Sequence, residues 1–458
     1  MGHSRIALQL LGQRLPKRKV DWAARLVWEA LKQLMHLLHV SLPARNNSGA
    51  LSQASWIFSK LAESYYFKAE VIPWIATNLV AVNLAEKARD AGLAGRAYSG
   101  LANLVGTARL HRLAARYFRR SRLMIVGQPW GTDSPRTVEV LPDLARQHDL
   151  TATISEAVYL RTMNRSLDVT LMMDEVVQRC RASGRNYDLE IGLAVRGSFH
   201  EATGMLRLAR ADFEELLNSA RGRGNTDHVI WGTTLLVPVL MGIGQKNACS
   251  TLDEEAVQLF SEDDRLSARN FQGSHIQVLI AHGRSAEALS YAQDALSTLD
   301  TMPVWFDFVG LTAMVRACIE LLEDVRGTAA EKDVRRISRR ALRALRRYVR
   351  VYPFCRARFE LYCGMYQAAA RKDHFARRRW VRALRCAERS GLQLDGARAR
   401  LLLAGQLPEG SQARAEHLRH ARRTLDELGL RRLEGLEGSP VVGRAAPDRP
   451  NGVTLASP

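Results

Sequence analysis

Helical periodicity runs through almost the whole chain, and it limits the available folds more than any other feature of this sequence. Apolar residues recur at intervals of three and four, as on one face of an α-helix, and short breaks separate successive amphipathic segments. The chain has no convincing run of alternating apolar and polar residues and no Asn-Gly or Asp-Gly hairpin between β-branched runs. The sequence therefore predicts an all-α protein.

Small and aromatic residues also recur along these segments. Gly197, Gly204, Ala209 and Phe213 are separated by seven, five and four positions. This spacing is typical of tetratricopeptide (TPR) repeats, in which a small residue lets helix A approach helix B and an aromatic ring fills the neighbouring gap. We therefore predict a TPR-like α-solenoid of stacked antiparallel helix pairs, with a compact non-repeat bundle as the alternative.

Four units carry this pattern most clearly. Their predicted packing positions are Tyr98, Leu101, Ala102, Ala114 and Phe118, then Gly197, Gly204, Ala209 and Phe213, then Gly283, Ala288 and Ala295, and lastly Gly364, Ala376, Trp380 and Ala383.

The ends of the chain differ from its middle. Residues 1–48 contain a helical segment that we expect to precede or cap the stack, and residues 49–435 are predicted to form the repeat superhelix. Residues 436–458 are rich in glycine, proline and small side chains, and we expect a disordered tail there.

The net charge is +19, and 57 of the 66 basic residues are arginine. Clustered arginine binds phosphate and acidic partners well. Because the arginines are spread over most of the chain, a compositional bias toward arginine on solvated helix faces is the favoured interpretation.

The densest basic block lies between Arg335 and Arg385, where only Glu360 and Asp373 are expected to oppose the positive charge. It is either a solvated helix face or a docking surface for an acidic protein segment, nucleic acid or anionic lipid. The candidate docking residues are Arg335, Arg336, Arg339, Arg340, Arg343, Arg346, Arg347, Arg350, Arg377, Arg378 and Arg379.

Patterns that would indicate catalysis are missing from the sequence. It contains no G-x-x-x-x-G-K-[ST] phosphate loop and no G-x-S-x-G elbow. His200 and Glu201 begin an H-E-x-x-H zinc motif, but Gly204 stands at the position of the second histidine, and His36 and His39 have no third ligand nearby. We expect no enzyme activity, no cofactor and no metal.

Two further features concern the compartment. The longest apolar stretch, residues 230–243, contains Pro238 and is shorter than the ~20 residues of a membrane span. The six cysteines form no C-x-x-C pair, so reduced, buried thiols are expected. We therefore predict a cytoplasmic protein without a membrane span.

An aromatic run, Tyr65-Tyr66-Phe67, falls where a first-of-pair helix meets its turn. These side chains could line a binding groove, but packing into the following repeat is the favoured interpretation.

Four stretches resemble the C-terminal helical-repeat region of large bacterial signalling ATPases of the AAA/STAND type, which carry a nucleotide cyclase or protein kinase module. The stretches are residues 7–22 (ALQLLGQRLPKRKVDW), 61–88, 100–121 and 340–366. The resemblance implies a TPR-like arm without the catalytic modules, encoded alone or produced as a split or truncated product.

Together these observations favour a non-catalytic interaction scaffold whose concave face binds a protein or peptide. The resemblance implies that the partner is a separately encoded ATPase, cyclase or kinase module. The alternative is a basic helical-repeat protein that binds nucleic acid, for which we expect weak, salt-sensitive affinity.

Overall fold

The computed structural model describes residues 2–37, 48–68, 70–125, 142–163, 166–261, 265–300 and 303–430. Within these residues the chain forms 20 α-helices and no β-strand, so the all-α prediction is confirmed. None of these helices combines the length and apolar character that crossing a bilayer requires. The boundary at residue 435 and the tail predicted over 436–458 lie outside the described residues.

The helices of the first half are α1 (Gly2–Leu10), α2 (Lys19–Leu37), α3 (Ser48–Phe67), α4 (Val71–Ala88), α5 (Ala91–Thr107), α6 (His111–Ile125), α7 (Pro142–Thr162), α8 (Ser166–Ala182), α9 (Asn186–Thr203) and α10 (Leu206–Gly222). Those of the second half are α11 (Thr226–Gly242), α12 (Lys246–Leu259), α13 (Arg265–Ala281), α14 (Ser285–Asp294), α15 (Phe308–Asp324), α16 (Glu331–Val351), α17 (Arg356–Ala369), α18 (Asp373–Ser390), α19 (Gln393–Ala404) and α20 (Gln412–Glu427). Short 3-10 helices cover Ala295–Asp300, Trp305–Asp307 and Pro353–Cys355.

Consecutive helices pack as antiparallel pairs, from α3 with α4 to α19 with α20. The first helix of a pair also contacts the first helices of neighbouring pairs, so that α11 lies between α9 and α13, and α17 lies between α15 and α19. This arrangement confirms the predicted α-solenoid of stacked helix pairs.

Glycines determine two of the close crossings within pairs. A Cβ atom at Gly197 in α9 would lie 2.5 Å from Cε1 of Phe213 in α10, and a Cβ atom at Gly364 in α17 would overlap the indole of Trp380 in α18. Both rings are fully buried. Each ring therefore occupies the groove that its glycine leaves open.

The predicted packing positions are buried, with the exception of Gly283. Gly283 is exposed in the turn after α13, has no neighbour within 4 Å of a Cβ position and adopts a φ of +73°. It is needed for its backbone conformation, so the prediction that it packs at a helix crossing is wrong. Gly204 is buried, but it ends α9 with a φ of +94° and faces Leu394 of α19 instead of α10.

One close crossing is not evident in the sequence pattern. The backbones of α13 and α15 meet at Gly273 and Gly310, where a Cβ atom on either residue would overlap the other helix. Asn270 secures this contact, because its Oδ1 accepts a hydrogen bond of 2.9 Å from the Gly310 N–H and its Nδ2 donates to the Phe306 carbonyl at 3.2 Å.

Helix α7 joins two hydrophobic cores. Tyr159 packs with the core of α3 to α6, with its ring 5.1 Å from that of Phe118. The adjacent Val158 belongs to the larger core that extends to α20. Different faces of one helix therefore connect the first pairs to the rest of the solenoid.

The last pairs turn back onto α9. Arg358 in α17 donates a hydrogen bond of 2.5 Å to Glu201 in α9 and forms a 3.0 Å ion pair with Asp395 in α19. Its side chain is only 2% exposed. Burial favours the neutral guanidine, but Asp395 and Glu201 outweigh it and raise the pKa of Arg358 above its usual value. This ion-pair network closes the superhelix on itself.

Helix α2 has polar residues on its inner face and apolar residues on its outer face. The Asn83 amide of α4 donates to Glu29 and accepts from Gln33, each at 2.6 Å, and Trp22 packs edge-on against Tyr65. The opposite face exposes Val20, Val27, Trp28, Leu31, Leu34 and Met35.

Gly364→Ala should lower the free energy of unfolding by about 1–3 kcal/mol, because the added methyl group overlaps a buried indole. Gly222→Ala is the matched control, since nothing lies within 4 Å of its Cβ position at the end of α10. The control should be neutral or slightly stabilising. Chemical denaturation compares the two variants, and equal stabilities would contradict the crossing.

Arg358→Met should cost about 3–5 kcal/mol of unfolding free energy, because it leaves buried carboxylates without their cation. Arg423→Met removes an exposed pair with Glu427 and should leave the stability close to that of the parent. Thermal and urea unfolding measure both variants. An Arg358→Met protein as stable as the parent would show that the closing network contributes little.

Candidate functional site

A partly open cavity of about 200 Å³ lies where helices α3, α4, α5 and α7 face the segment before α15. Ligand pockets for small molecules usually span ~300–1,000 Å³, so this cavity suits one or two amino-acid side chains. Its lining includes Glu63, Tyr66, Trp74, Asn78, Arg96, Asn103, Thr151, Ser155, Trp305 and Tyr352.

A second, more open cleft of about 490 Å³ adjoins this cavity. It lies between α3 and the first turns of α9 and α11, and Glu63 lines both spaces. Lys60, Lys68 and Asp227 give the cleft charged edges. The two spaces together therefore form a candidate groove on the inner side of the superhelix.

A row of aromatic rings follows one wall of this groove. Tyr187, His228 and Trp231 stack in order, with ring centroids 5.1 and 4.5 Å apart. Phe306 continues the row at 4.8 Å from Trp231, and Trp305 follows at 5.4 Å. These separations are typical of stabilising ring pairs, and four of the five rings, those of Tyr187, His228, Trp231 and Trp305, line the groove.

The opposite wall carries a partly buried ion pair. Arg96 in α5 contacts Glu63 in α3 at 2.7 Å and stacks over the Trp56 ring at 4.7 Å. Lys60 also contacts Glu63, at 2.8 Å. The groove therefore places polar, hydrogen-bonding groups opposite an aromatic wall.

The aromatic run predicted from the sequence divides between two roles. Tyr65 packs against Trp22 with its ring centroid 5.4 Å away, as expected for a packing residue. Tyr66 lines the cavity beside Trp74, at a centroid distance of 5.2 Å. The Phe67 side chain lies outside the described residues.

Trp74, Trp305 and Tyr352 line the cavity, although the sequence pattern did not single them out as site residues. Trp305 belongs to a short aromatic segment whose backbone is held in place, because its carbonyl accepts a hydrogen bond of 2.8 Å from the Tyr348 hydroxyl. A tryptophan and two phenylalanines within four positions, immediately before and at the start of α15, form the signal that could have indicated this segment.

The basic block is more fully paired than its sequence suggests. The ion pairs join Arg335 to Glu331, Arg336 to Asp333, Arg340 and Arg347 to Asp300, and Arg379 to Glu360. The expectation that only Glu360 and Asp373 oppose the block is therefore wrong. Acidic residues three or four positions away, and an aspartate in the preceding helix pair, supply the missing partners.

The other six candidate docking arginines are exposed and form no ion pair within the described part of the chain; they are Arg339, Arg343, Arg346, Arg350, Arg377 and Arg378. Arg339 instead donates a hydrogen bond of 2.8 Å to the Tyr366 hydroxyl. Arg339, Arg343 and Arg379 line one shallow cleft, so the structure brings together only part of the predicted surface.

The histidines considered as metal ligands have carboxylate neighbours. His200 Nδ1 lies 2.9 Å from Asp212, and His36 contacts Glu86, whereas His39 lies outside the described residues. Among the residues that the structure describes, no three or more His, Cys, Asp or Glu side chains are arranged to hold a metal ion.

Glu190 supports the aromatic wall from behind. Burial disfavours its charged form, but hydrogen bonds from His228, Arg223 and Ser219 outweigh burial and lower the pKa of Glu190 to about 2. The carboxylate is fully buried, and it holds α9 against α10 and α11.

Glu190→Gln should therefore be less stable than the parent at neutral pH. Because the folded-state pKa of Glu190 is the lower one, its ionisation stabilises the fold above about pH 4.5, and this contribution is lost as the pH falls toward about 2. The stability difference between variant and parent, measured by urea unfolding, should shrink over that interval. A difference independent of pH would contradict this account.

Comparisons with known proteins leave the family of this chain open. No protein-family model matches the sequence, and no curated protein is significantly similar to it. Within the described residues, the structure shows 20 helices packed in sequential pairs. This architecture does not identify a family.

Proposed function

We propose that this chain is a non-catalytic interaction module that binds a short peptide segment of a partner protein in the groove inside its superhelix. The observation that carries the proposal is the cavity of about 200 Å³ and its adjoining cleft, lined by aromatic rings and the Glu63–Arg96 pair. Apolar walls with a few oriented polar groups are typical of binding sites.

The size of the site supports a peptide in preference to a folded domain. The chain's own side chains fill much of the interior of the superhelix, since Phe199, Phe308 and Phe354 are all buried. An extended segment could lie in the cleft and insert one side chain into the cavity. Its backbone could pair with the polar groups of α5 and α7.

The proposed partner class follows from the resemblance of four stretches to the helical arm of bacterial signalling ATPases. On that basis the segment would belong to a separately encoded ATPase, cyclase or kinase module. The arm would then act as a sensor or docking element, in the bacterial cytoplasm.

The nucleic-acid alternative has less support. Five of the eleven candidate arginines are engaged by carboxylates, so fewer of them are free to contact phosphates. Weak binding that disappears at physiological salt remains the prediction for duplex DNA.

Asn103→Phe should abolish peptide binding, because the added ring fills the cavity that Asn103 lines. Peptides selected from a random 12-residue display library on the parent protein serve as probes, with affinities measured by calorimetry. We expect at least a tenfold loss of affinity and an unchanged melting temperature. The matched control is Trp28→Phe, on the outer face of α2, which should bind as the parent does.

Peptides that bind the parent and Asn103→Phe equally well would contradict the proposed site. A second comparison uses duplex DNA at ~50 and ~200 mM salt, with Arg346, Arg350, Arg377 and Arg378 changed to Glu. DNA binding that persists at the higher salt and is lost in this variant would favour the nucleic-acid alternative.

A further inference from the structure

Helix α2 points its polar face into the protein and its apolar face toward solvent. Glu29 and Gln33, on the inner face, are 1% and 3% exposed. On the outer face, six large apolar side chains are between 37% and 76% exposed; they are Val20, Val27, Trp28, Leu31, Leu34 and Met35. Soluble proteins rarely expose a contiguous apolar patch of this kind, and such patches mark contacts with a partner or a membrane.

The exposed residues form one continuous arc around the helix. Successive residues of an α-helix are about 100° apart, so that Ala23, Ala24 and Ala30, which are also exposed, project between the larger side chains. Every residue of α2 that projects onto this arc of about 160° is apolar, whereas a stripe of ~100° is enough for a helix to pack on a core. The six large and three small residues are called the outer arc below.

Basic side chains border the outer arc. Arg25 and Lys32 lie beside it, each 2.9 Å from the buried Glu29 carboxylate, and their side chains remain 29% and 27% exposed. Three more basic residues are exposed at the start of the helix; they are Lys17, Arg18 and Lys19. Residues 14–37 contain six basic and two acidic residues, which gives this segment a net charge of +4. The margin of the outer arc is therefore positive.

Trp28 lies at the edge of the outer arc, between the apolar and the basic side chains. It is 57% exposed, and the Lys32 ammonium lies 5.4 Å from the centroid of its ring. Tryptophan is enriched at the boundary between the hydrocarbon and the head groups of a bilayer, because its ring is apolar and its N–H is polar. The order of apolar arc, tryptophan and cations therefore matches the layers of a lipid surface.

The charge of the margin distinguishes between the possible occupants of the outer arc. A second copy of this chain would bring two positively charged margins together, because the same patch meets itself in a two-fold dimer. A bilayer with anionic head groups supplies hydrocarbon to the arc and negative charge to its margin. The observed charges therefore favour an anionic lipid surface.

We propose that the outer arc of α2 binds the surface of an anionic lipid bilayer. The helix lies parallel to the bilayer plane, with the arc at the boundary of the acyl chains and the Arg25 and Lys32 cations among the head groups. The proposal is independent of the peptide groove, since none of the described residues that line the groove belongs to α2.

Flotation of the full chain with unilamellar vesicles measures this contact. One set of vesicles contains equal parts of phosphatidylcholine and phosphatidylglycerol, and the neutral match contains phosphatidylcholine alone. We expect the apparent affinity to be roughly tenfold or more higher for the anionic vesicles. This difference should shrink as salt is added, because the attraction between the basic residues and the head groups is screened.

Leu31→Glu combined with Leu34→Glu places two carboxylates in the outer arc and should weaken binding to the anionic vesicles roughly tenfold or more. The matched control is Leu171→Glu combined with Leu208→Glu, which makes the same changes on α8 and α10. The control leucines are 63% and 51% exposed, against 49% and 54% for the pair in α2. Both double variants should melt as the parent does, because no buried side chain is changed, and only the first should lose binding.

Trp28 provides a direct measure of insertion. The chain has eight tryptophans, so the emission of Trp28→Phe is subtracted from that of the parent to isolate the Trp28 signal. Trp28→Phe should still bind the anionic vesicles, because phenylalanine remains apolar. Bromine atoms on the acyl chains should quench the Trp28 signal, since the ring lies at the hydrocarbon boundary.

A parent that does not float with anionic vesicles, that binds neutral vesicles equally well or that floats without quenching of Trp28 would overturn the proposal. Loss of flotation in the basic-block variant designed for the DNA comparison, with binding retained in the Leu31 and Leu34 variant, would assign the contact to the basic block instead. A parent that sediments as a dimer, and as a monomer once Leu31 and Leu34 are changed, would assign the outer arc to a second copy.

Discussion

The interior of this protein depends on one buried ion-pair network, in which Arg358 joins α9 to α17 and α19 across 157 positions of sequence. In an open solenoid each repeat contacts only its neighbours, but here the last pairs return to α9. A shift of any of these helices would leave a buried charge without its partner. Closure in turn holds the aromatic segment around Trp305 opposite α3 and α5, so the groove depends on contacts made far from it.

Local patterns in the sequence predict what neighbouring helices do. The spacing of Gly197 and Phe213 indicates a crossing, because both residues lie within one helix pair and their sizes are complementary. The same pattern fails at Gly283, since a glycine is also the residue that best ends a helix with a positive φ. Size alone cannot distinguish a glycine that makes room for a ring from one that makes a turn.

The candidate site could not be predicted in this way, because it is assembled from distant parts of the chain. Tyr66, Arg96 and Trp305 come from separate helix pairs, and no spacing relates them. Counting charges along the sequence fails to predict the ion pairs for the same reason. Asp300, which belongs to the preceding helix pair, pairs with Arg340 and Arg347. Contacts between different helix pairs determine both the site and these ion pairs, and such contacts leave no periodic signal in the sequence.

Helix α2 exposes its apolar face to solvent, and this affects how readily the helix unfolds locally. Glu29, Gln33 and His36 attach this helix to α4 through contacts with Asn83 and Glu86, and Trp22 packs against Tyr65 of α3. Net hydrogen-bond energies in water are modest. Its apolar face adds nothing to that attachment, because Trp28, Leu31 and their neighbours already contact solvent. Protection of amide protons against exchange with solvent should therefore rise steeply from α2 to the buried helices around α17, with α2 opening as a unit while the closed superhelix stays folded.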